Sequence, residues 1–430
     1  MRPDRPPLPA AEAPSEDLVS AIGRLEERFA EVEPGLLAFV PEDGRFARLR
    51  REAEDLLTRY PDPEGRPALF GVLLGVKDIF HAEGLPTRAG SRLPPDELAG
   101  PEAAVVAALK SAGALVLGKT VSTEFAYFAP GPTRNPQAPG HTPGGSSSGS
   151  AAAVAARLCR LALGTQTIGS ISRPAAFCGV VGYKPTYDRI SRQGVIPLAP
   201  SLDHVGLFAA DVAWLELGAA TLCRGWRRGV SGEARPVLGI PEGPYLDRAQ
   251  PEGREDFRAA CERLESAGYE VRSAPALADF AEIEARHYLI VAAEAAGVHQ
   301  AWHERYGELY HEKTAELIRR GRKVTPDELE EALGGRERLR NELSRRMEAQ
   351  GIELWISPAA PGAAPPGLES TGDPVMNLPW THSGLPTLAL PSGRNAEGLP
   401  FGLQVAARWE ADEQLLAWGH EMEAALGFPR

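Results

Sequence analysis

Cysteine, asparagine and lysine are all scarce in this chain of 430 residues. The four cysteines, Cys159, Cys178, Cys223 and Cys261, have no CxxC spacing. A disulfide scaffold and a zinc site are therefore set aside, and small buried thiols are expected. No stretch approaches the roughly 20 apolar residues that span a bilayer, and "MRPDRPPLPAAEAPSEDL" has no apolar core of signal-peptide length. Positive charge is in deficit, with 46 Lys and Arg against 58 Asp and Glu and a net charge of −12. Neither a nucleic acid nor an anionic membrane would meet a basic surface. The expectation is a cytoplasmic globular protein with no nucleic-acid or membrane partner. Asparagine occurs only at Asn135, Asn341, Asn377 and Asn395, while arginine and proline abound. That composition suits a thermophile or a GC-rich genome. Lysine is rare enough for each one to be weighed singly.

What is present can bury a large core, since 43% of the residues are hydrophobic. Residues 1–14, proline-rich and without periodicity, read as a disordered segment, and 15–430 as one domain. Ser15 is placed to cap a first amphipathic helix, and "FARLRREAEDLLTRY" gives a second. "ALFGVLLGVKDIF" is an apolar run of strand length, "PEAAVVAALKSAG" is helical and "ALVLGKT" extended. This alternation indicates an α/β sheet. Residues 151–163 read as helix and "GVVGYKPT" as a buried strand. Residues 211–224 and 251–268 read as helices, with strands at "PVLGIPEG" and "YEVRSAP". A mostly helical segment fills roughly 210–350, with a capped start at "TPDELEEAL". "IELWISPAAP", "LPTLALPSG" and "FGLQVAA" resume the sheet within a C-terminal portion, 351–430, that closes on a helix over 411–425.

The stretch "HTPGGSSSGSAAAVAARL", residues 141–158, admits three readings. A flexible linker is disfavoured because a helix begins at once and a second Gly/Ser stretch, "GTQTIGSIS", follows one helix later. A phosphate cradle needs GxxxxGK[ST] or GxGxxG after a strand, and neither is present. A nucleophile loop divides in two. "GSSSG" formally matches GxSxG, with Ser147 as nucleophile, Asp203 or Asp373 as acid and His382 as base, but lacks the required strand before it. In the other branch Lys77, at the end of "FGVLLGV", is the base. A lysine delivered there is a surface residue, is neutralised by Asp78, or is desolvated and so made basic at neutral pH.

From residue 71 to 206 the chain resembles the amidase signature family almost continuously. The resemblance runs through "GVLLGVKDIF…GLPTRAGS", "GKTVSTEFA", "TRNPQAPGHTPGGSSSGSAAAVAA" and "LALGTQTIGSISRPAAFCGVVGYKPTYDRISRQGVIPLAPSLDHVG". "NLPWTHSGLPTLALPSG…GLPFGLQV" is similar to the closing segment of the family. The resemblance implies an α/β fold: a single large domain whose mixed, twisted central β-sheet is covered by helices on both faces. It also implies a Ser–cis-Ser–Lys triad, with Ser170 as nucleophile, Ser146 as bridge after a cis Gly145–Ser146 peptide, and Lys77 as base. The oxyanion hole would be the backbone N–H groups of Thr167, Ile168, Gly169 and Ser170. No metal or cofactor is implied. Ser147 is expected to support Lys77 through a hydrogen bond. Ser148, Ser150 and Ser172 are expected to satisfy backbone groups or cap the helix. Lys184 reads as structural, and Lys110, Lys119, Lys313 and Lys323 as solvated.

Departures from the pattern are informative. The common "GTDTGGSIR" is "GTQTIGSIS" here, so Gln166 replaces an aspartate and Ile168 stands where a small residue is usual. Ile168 is expected to narrow the acyl pocket or shift an oxyanion donor. Arginine falls three residues after the nucleophile, at Arg173, which is similar to the malonamidase-type small bacterial amidases, where it holds a substrate carboxylate. The alternative is an arginine tied to a structural aspartate. The expected activity is hydrolysis of a small carboxylic amide, releasing ammonia or an amine, by a chain that could form a homodimer. The alternatives are the A subunit of a glutamyl-tRNA amidotransferase, acting only in a complex, and a non-catalytic carboxamide binder. The amidotransferase protein usually keeps the Asp and Arg that are missing at 166 and 172, and is usually longer.

Overall fold

A computed structural model describes residues 18–232 and 234–428. The segment 1–14 and the Ser15 cap lie outside the described residues. Ten strands among the described residues run in chain order: β1 Leu73–Lys77, β2 Leu115–Thr120, β3 Leu161–Gln166, β4 Val181–Lys184, β5 His204–Ala209, β6 Leu238–Glu242, β7 Val271–Pro275, β8 Leu354–Pro358, β9 Thr387–Arg394 and β10 Pro400–Ala406. They form one sheet in the order β2-β1-β3-β5-β4-β9-β10-β8-β6-β7. The pairs β2–β1–β3 and β8–β6–β7 are parallel, and every pair between β3 and β8 is antiparallel. The sheet is mixed, as the resemblance implied.

Period-two alternation sends successive side chains to opposite faces, and each face carries its own core. Leu161 and Leu163 of β3, Leu207 of β5 and Leu388 of β9 meet the helices Ala104–Ser111, Val212–Leu222, Pro251–Ser266 and Asp412–Leu426. Ala162, Phe208 and Ala389, one residue along, meet Leu18–Leu36, Arg45–Arg59, Ser148–Ala155 and Ser172–Cys178 on the other face. A third cluster joins the helices Phe280–Val298 and Pro326–Gln350 to Trp355, Trp380 and Ile168. The capped start at Thr325 is present, with Thr325 and Glu328 exchanging side-chain to backbone bonds. No helix among the described residues is long and apolar enough to cross a membrane.

Two elements differ from expectation. The helix expected over 151–163 is Ser148–Ala155, and Leu161 already belongs to β3. β5 adds a strand where none was expected. The short helix is buried along its first seven residues, and only small side chains fit there. A Cβ on Gly149 would lie 2.1 Å from the Ala38 carbonyl oxygen. Gly144, which leads into the serine loop, has φ +80 and lies against Pro174, so it serves both a left-handed turn and a close approach.

Candidate active site

The parallel trio β2–β1–β3 delivers Lys77 to the C-terminal end of a strand flanked on both sides. Lys77 is fully buried, and its Nζ donates to Ser146 Oγ at 2.7 Å and to Thr165 Oγ1 at 2.7 Å. Burial holds its ammonium well below the ordinary lysine pKa, against a smaller opposing pull from Asp203. Asp78 does not neutralise it. Neighbouring residues leave a strand end on opposite sides, and Asp78 pairs instead with buried Lys119 at 2.9 Å. Lys119 was expected to be solvated and is 3% exposed, bonded also to Thr87.

The peptide between Gly145 and Ser146 is cis. Ser147 is fully buried, and its hydroxyl exchanges bonds with the backbone of Thr165 rather than with Lys77. The side chain beside Ser146 that contacts Lys77 is therefore Thr165, which the sequence reading missed. The nucleophile-elbow alternative fails on the same geometry. No strand precedes Ser147 in this loop, and His382 faces His287. Ser148 and Ser150 bond the carbonyls of Gly144 and Leu163, whereas the Ser172 hydroxyl is buried without a partner among the described residues.

Ser170 sits between β3 and the helix Ser172–Cys178, 7% exposed. It shares a narrow slot with Ser146, Thr167, Ile168, Gly169 and Arg173. The backbone N–H groups of Ile168, Gly169 and Ser170 donate to no acceptor among the described residues, which leaves them free for an anionic oxygen. Four side chains fix this loop. Gln166 Oε1 accepts from the N–H groups of Ile171 (2.8 Å) and Ser172 (2.9 Å), so Gln166 shapes the turn and does not line the slot. Its Nε2 donates to Thr381, whose hydroxyl reaches the Ile168 carbonyl at 2.7 Å. Thr167 Oγ1 donates to Asp203 at 2.5 Å, and His287 Nε2 meets the Thr167 carbonyl at 3.1 Å.

The histidines are neutral, because burial pushes His287 down to about 3 and His382 to about 2. A neutral His287 that donates from Nε2 has a bare Nδ1. His382 must then donate from Nδ1 across their 3.3 Å contact, leaving its own Nε2 an unpartnered acceptor, as found. Asp203 accepts from Leu198 and Ala199 N–H as well as Thr167, yet burial dominates and pushes its carboxyl up to about 6. Thr165, Thr381, His287 and this role of Asp203 escaped the sequence reading.

Arg173 is 1% exposed, and its Nη2 donates to the carbonyl of Gly145 (2.6 Å) and the hydroxyl of Thr371 (3.1 Å). Nε and Nη1 are buried without partners, and no carboxylate lies within ion-pair distance among the described residues. Lys184, fully buried, donates to the carbonyls of Pro185 and Leu385, a structural placement.

Comparison with known proteins agrees with this architecture. The family model described as Amidase matches residues 25–416. The A subunit of glutamyl-tRNA(Gln) amidotransferase from Synechococcus sp. (strain RCC307) is 34% identical, over 93% of this chain and 92% of its own. Its counterpart of the same description from Thermus thermophilus is 35% identical, over 94% and 91%. A solved structure described as the crystal structure of an amidase superposes with a TM-score of 0.87 at 33% identity, covering 96% of this chain and 97% of the other. The sequence, the mixed sheet and these likenesses agree: the chain belongs to the amidase family.

Proposed function

We propose that this enzyme hydrolyses a small carboxylic amide through an acyl-enzyme on Ser170. The observation that carries the reading is a fully buried Lys77 held 2.7 Å from Ser146, which lines the same slot as Ser170. A lysine whose ammonium is disfavoured by burial is a base at neutral pH. In its neutral form the Lys77–Ser146 bond reverses, with the Ser146 hydroxyl donating. As Ser170 Oγ attacks the amide carbonyl, its proton passes to Ser146 and that of Ser146 to Lys77. The oxyanion falls among the N–H groups of Thr167, Ile168, Gly169 and Ser170, each worth about 10²–10³ in rate for such donors. Collapse breaks the C–N bond, with Ser146 returning a proton to the departing nitrogen and recovering one from Lys77. Water then attacks the ester by the same relay and frees the acid.

The unpartnered Nε and Nη1 of Arg173 support a substrate that carries a carboxylate. Buried guanidinium donors left unmade are costly, and an anionic group would satisfy them. The curated relatives favour a second reading, in which the chain is the A subunit of a glutamyl-tRNA amidotransferase and hydrolyses glutamine only with partners. Against it stand Gln166 and Ser172 where that protein usually has Asp and Arg. One experiment separates them: ammonia release by the purified chain from malonamic and succinamic acids and from glutamine, with fluorophosphonate labelling as a companion. Hydrolysis of the carboxylate-bearing amides, with one adduct on Ser170 that Ser170→Ala abolishes, is the expected result. A labelled but silent chain would favour the amidotransferase complex, and an unlabelled chain would overturn the serine mechanism.

A further inference from the structure

Ser170 lies at the floor of a slot with only about 10 Å³ of free space, walled by Ile168, Pro374, Tyr127 and Phe128. Such a slot holds the small reacting group at Ser170 and leaves no room beside it for a bulky substituent. Tyr127 and Phe128 also line a much larger cleft of about 580 Å³, together with Tyr288, Leu289, Ala292 and Arg320. This is the size of ordinary small-molecule sites, and its walls are mostly apolar and aromatic. From these shared walls we infer that the cleft is the subsite for an aryl or branched apolar group of the substrate, joined by a slender linker to the amide.

The backbone that presents the two rings supports this assignment. Phe125 and Ala126, immediately before Tyr127, both have positive φ, +47 and +61. A non-glycine residue held there is strained and persists only where its surroundings enforce it. Here the enforcement is visible. The Phe125 N–H bonds the Ala89 carbonyl, the Tyr127 N–H bonds that of Glu124, and the Glu124 carboxylate takes the N–H of His311 and the hydroxyl of Thr314. The Phe125 ring is locked beneath against His299, Trp302 and Tyr310. This strained, anchored turn places Tyr127 and Phe128 side by side, ring centroids 4.6 Å apart, on the boundary between slot and cleft. Across the cleft, Tyr288 shares its helix with His287, which holds the oxyanion loop, so the far wall and the loop are rigidly linked.

The inference rests on Ser170 as nucleophile, and its test does not need amide turnover. Phenylmethanesulfonyl fluoride and methanesulfonyl fluoride both transfer a sulfonyl group to a serine oxygen, breaking S–F and releasing fluoride and a proton. Their rates on Ser170 are read by intact mass for the parent chain, Tyr288→Ala and Leu289→Ala. The expected result is a fall of about 10-fold in the phenyl-to-methyl rate ratio in Tyr288→Ala, and a smaller fall in Leu289→Ala. The ratio carries the result, because a general weakening of the site or of the fold would slow both reagents together. An unchanged ratio in both variants overturns the aryl subsite while leaving the serine mechanism standing. Failure of both reagents to label Ser170 in the parent chain removes the nucleophile, and this inference with it.

Discussion

Thr165→Val tests the mechanism at the residue on which it depends without touching the serines. Lys77 has no solvent contact, and its amine has two protein partners, Ser146 and Thr165, each at 2.7 Å. In the neutral form one N–H donates to Thr165 Oγ1, and that bond turns the nitrogen lone pair toward the Ser146 hydroxyl. Valine keeps the shape and removes the acceptor. An unsatisfied buried donor costs about 1–3 kcal/mol, and each 1.4 kcal/mol is about tenfold. The turnover number should therefore fall about 10- to 100-fold with little change in KM, since Thr165 is not in the slot. A second readout separates this from a general loss of packing. The hydroxyl accepts more strongly from an ammonium than from an amine, so its removal disfavours the protonated form further, and the acid limb of the pH–rate profile should move to lower pH. Thr165→Ser keeps the acceptor and should stay within a few-fold of the parent. Steady-state ammonia release between pH 5 and 10 measures all three chains. A valine variant with full turnover and an unmoved limb would refute the assignment of Thr165, and a loss in serine as large as in valine would mean that packing at this position, and not the hydroxyl, sets the turnover.

Two further outcomes concern protons. Because Lys77 must be neutral to act, turnover should rise with pH through its lowered pKa. Asp203→Asn, which removes the carboxylate that opposes this lowering, should shift that limb to still lower pH. An acid limb unmoved in the variant, with chemistry rate-limiting, would contradict this. The second concerns stability: burial pushes His287 and His299 down to about 3 and His382 to about 2. The unfolded chain binds protons that the folded chain refuses, so their contribution is complete above about pH 6.5 and is lost as pH falls toward 3. Asp203, pushed up to about 6, acts in the opposite sense, contributing below about 3.9 and losing that contribution as pH rises through 6. Three histidines outweigh one carboxylate, and the melting temperature should drop between pH 7 and 4. A constant value would mean that the imidazoles are not held neutral.

Several parts of this protein were legible because their causes are local. The helix at Thr325 announces itself by a Thr-x-x-Glu box with proline at the first helical position, and β1 by an unbroken apolar run. β3 and β5 were harder for a physical reason. The run "LALGTQT" follows an alanine-rich helix with little turn chemistry between them, and its residues are small because the sheet is crowded there. A Cβ on Gly164 would meet the Phe208 ring at 2.5 Å and Ser147 at 2.9 Å. Small, buried and unpatterned, such a strand reads as more helix. Asp78 shows the opposite error. Proximity in sequence suggested a partner for Lys77, but strand geometry turned the two apart and gave Asp78 to Lys119.

The candidate site divides along the same line. Gln166 is five and six residues from the amides it holds, so its place in the loop was foreseeable from sequence even though its role as a turn clamp was not. Thr381, Asp203 and His287 reach the same loop from 213, 36 and 120 residues away. Nothing in a local pattern marks them. They are nevertheless required by a simple count. On the proposed mechanism, a buried loop that keeps its N–H groups for a substrate oxygen cannot spend them on its own secondary structure, so its geometry must be imposed through the other groups it carries. The Thr167 carbonyl takes the His287 imidazole, the Thr167 hydroxyl takes Asp203, and the Ile168 carbonyl takes Thr381, while the adjoining donors remain open. The remote residues thus follow from what the loop must leave unpaired. A search for such sites in sequence should look for buried polar residues in distant helices and strands, and not only for the motif that names the nucleophile.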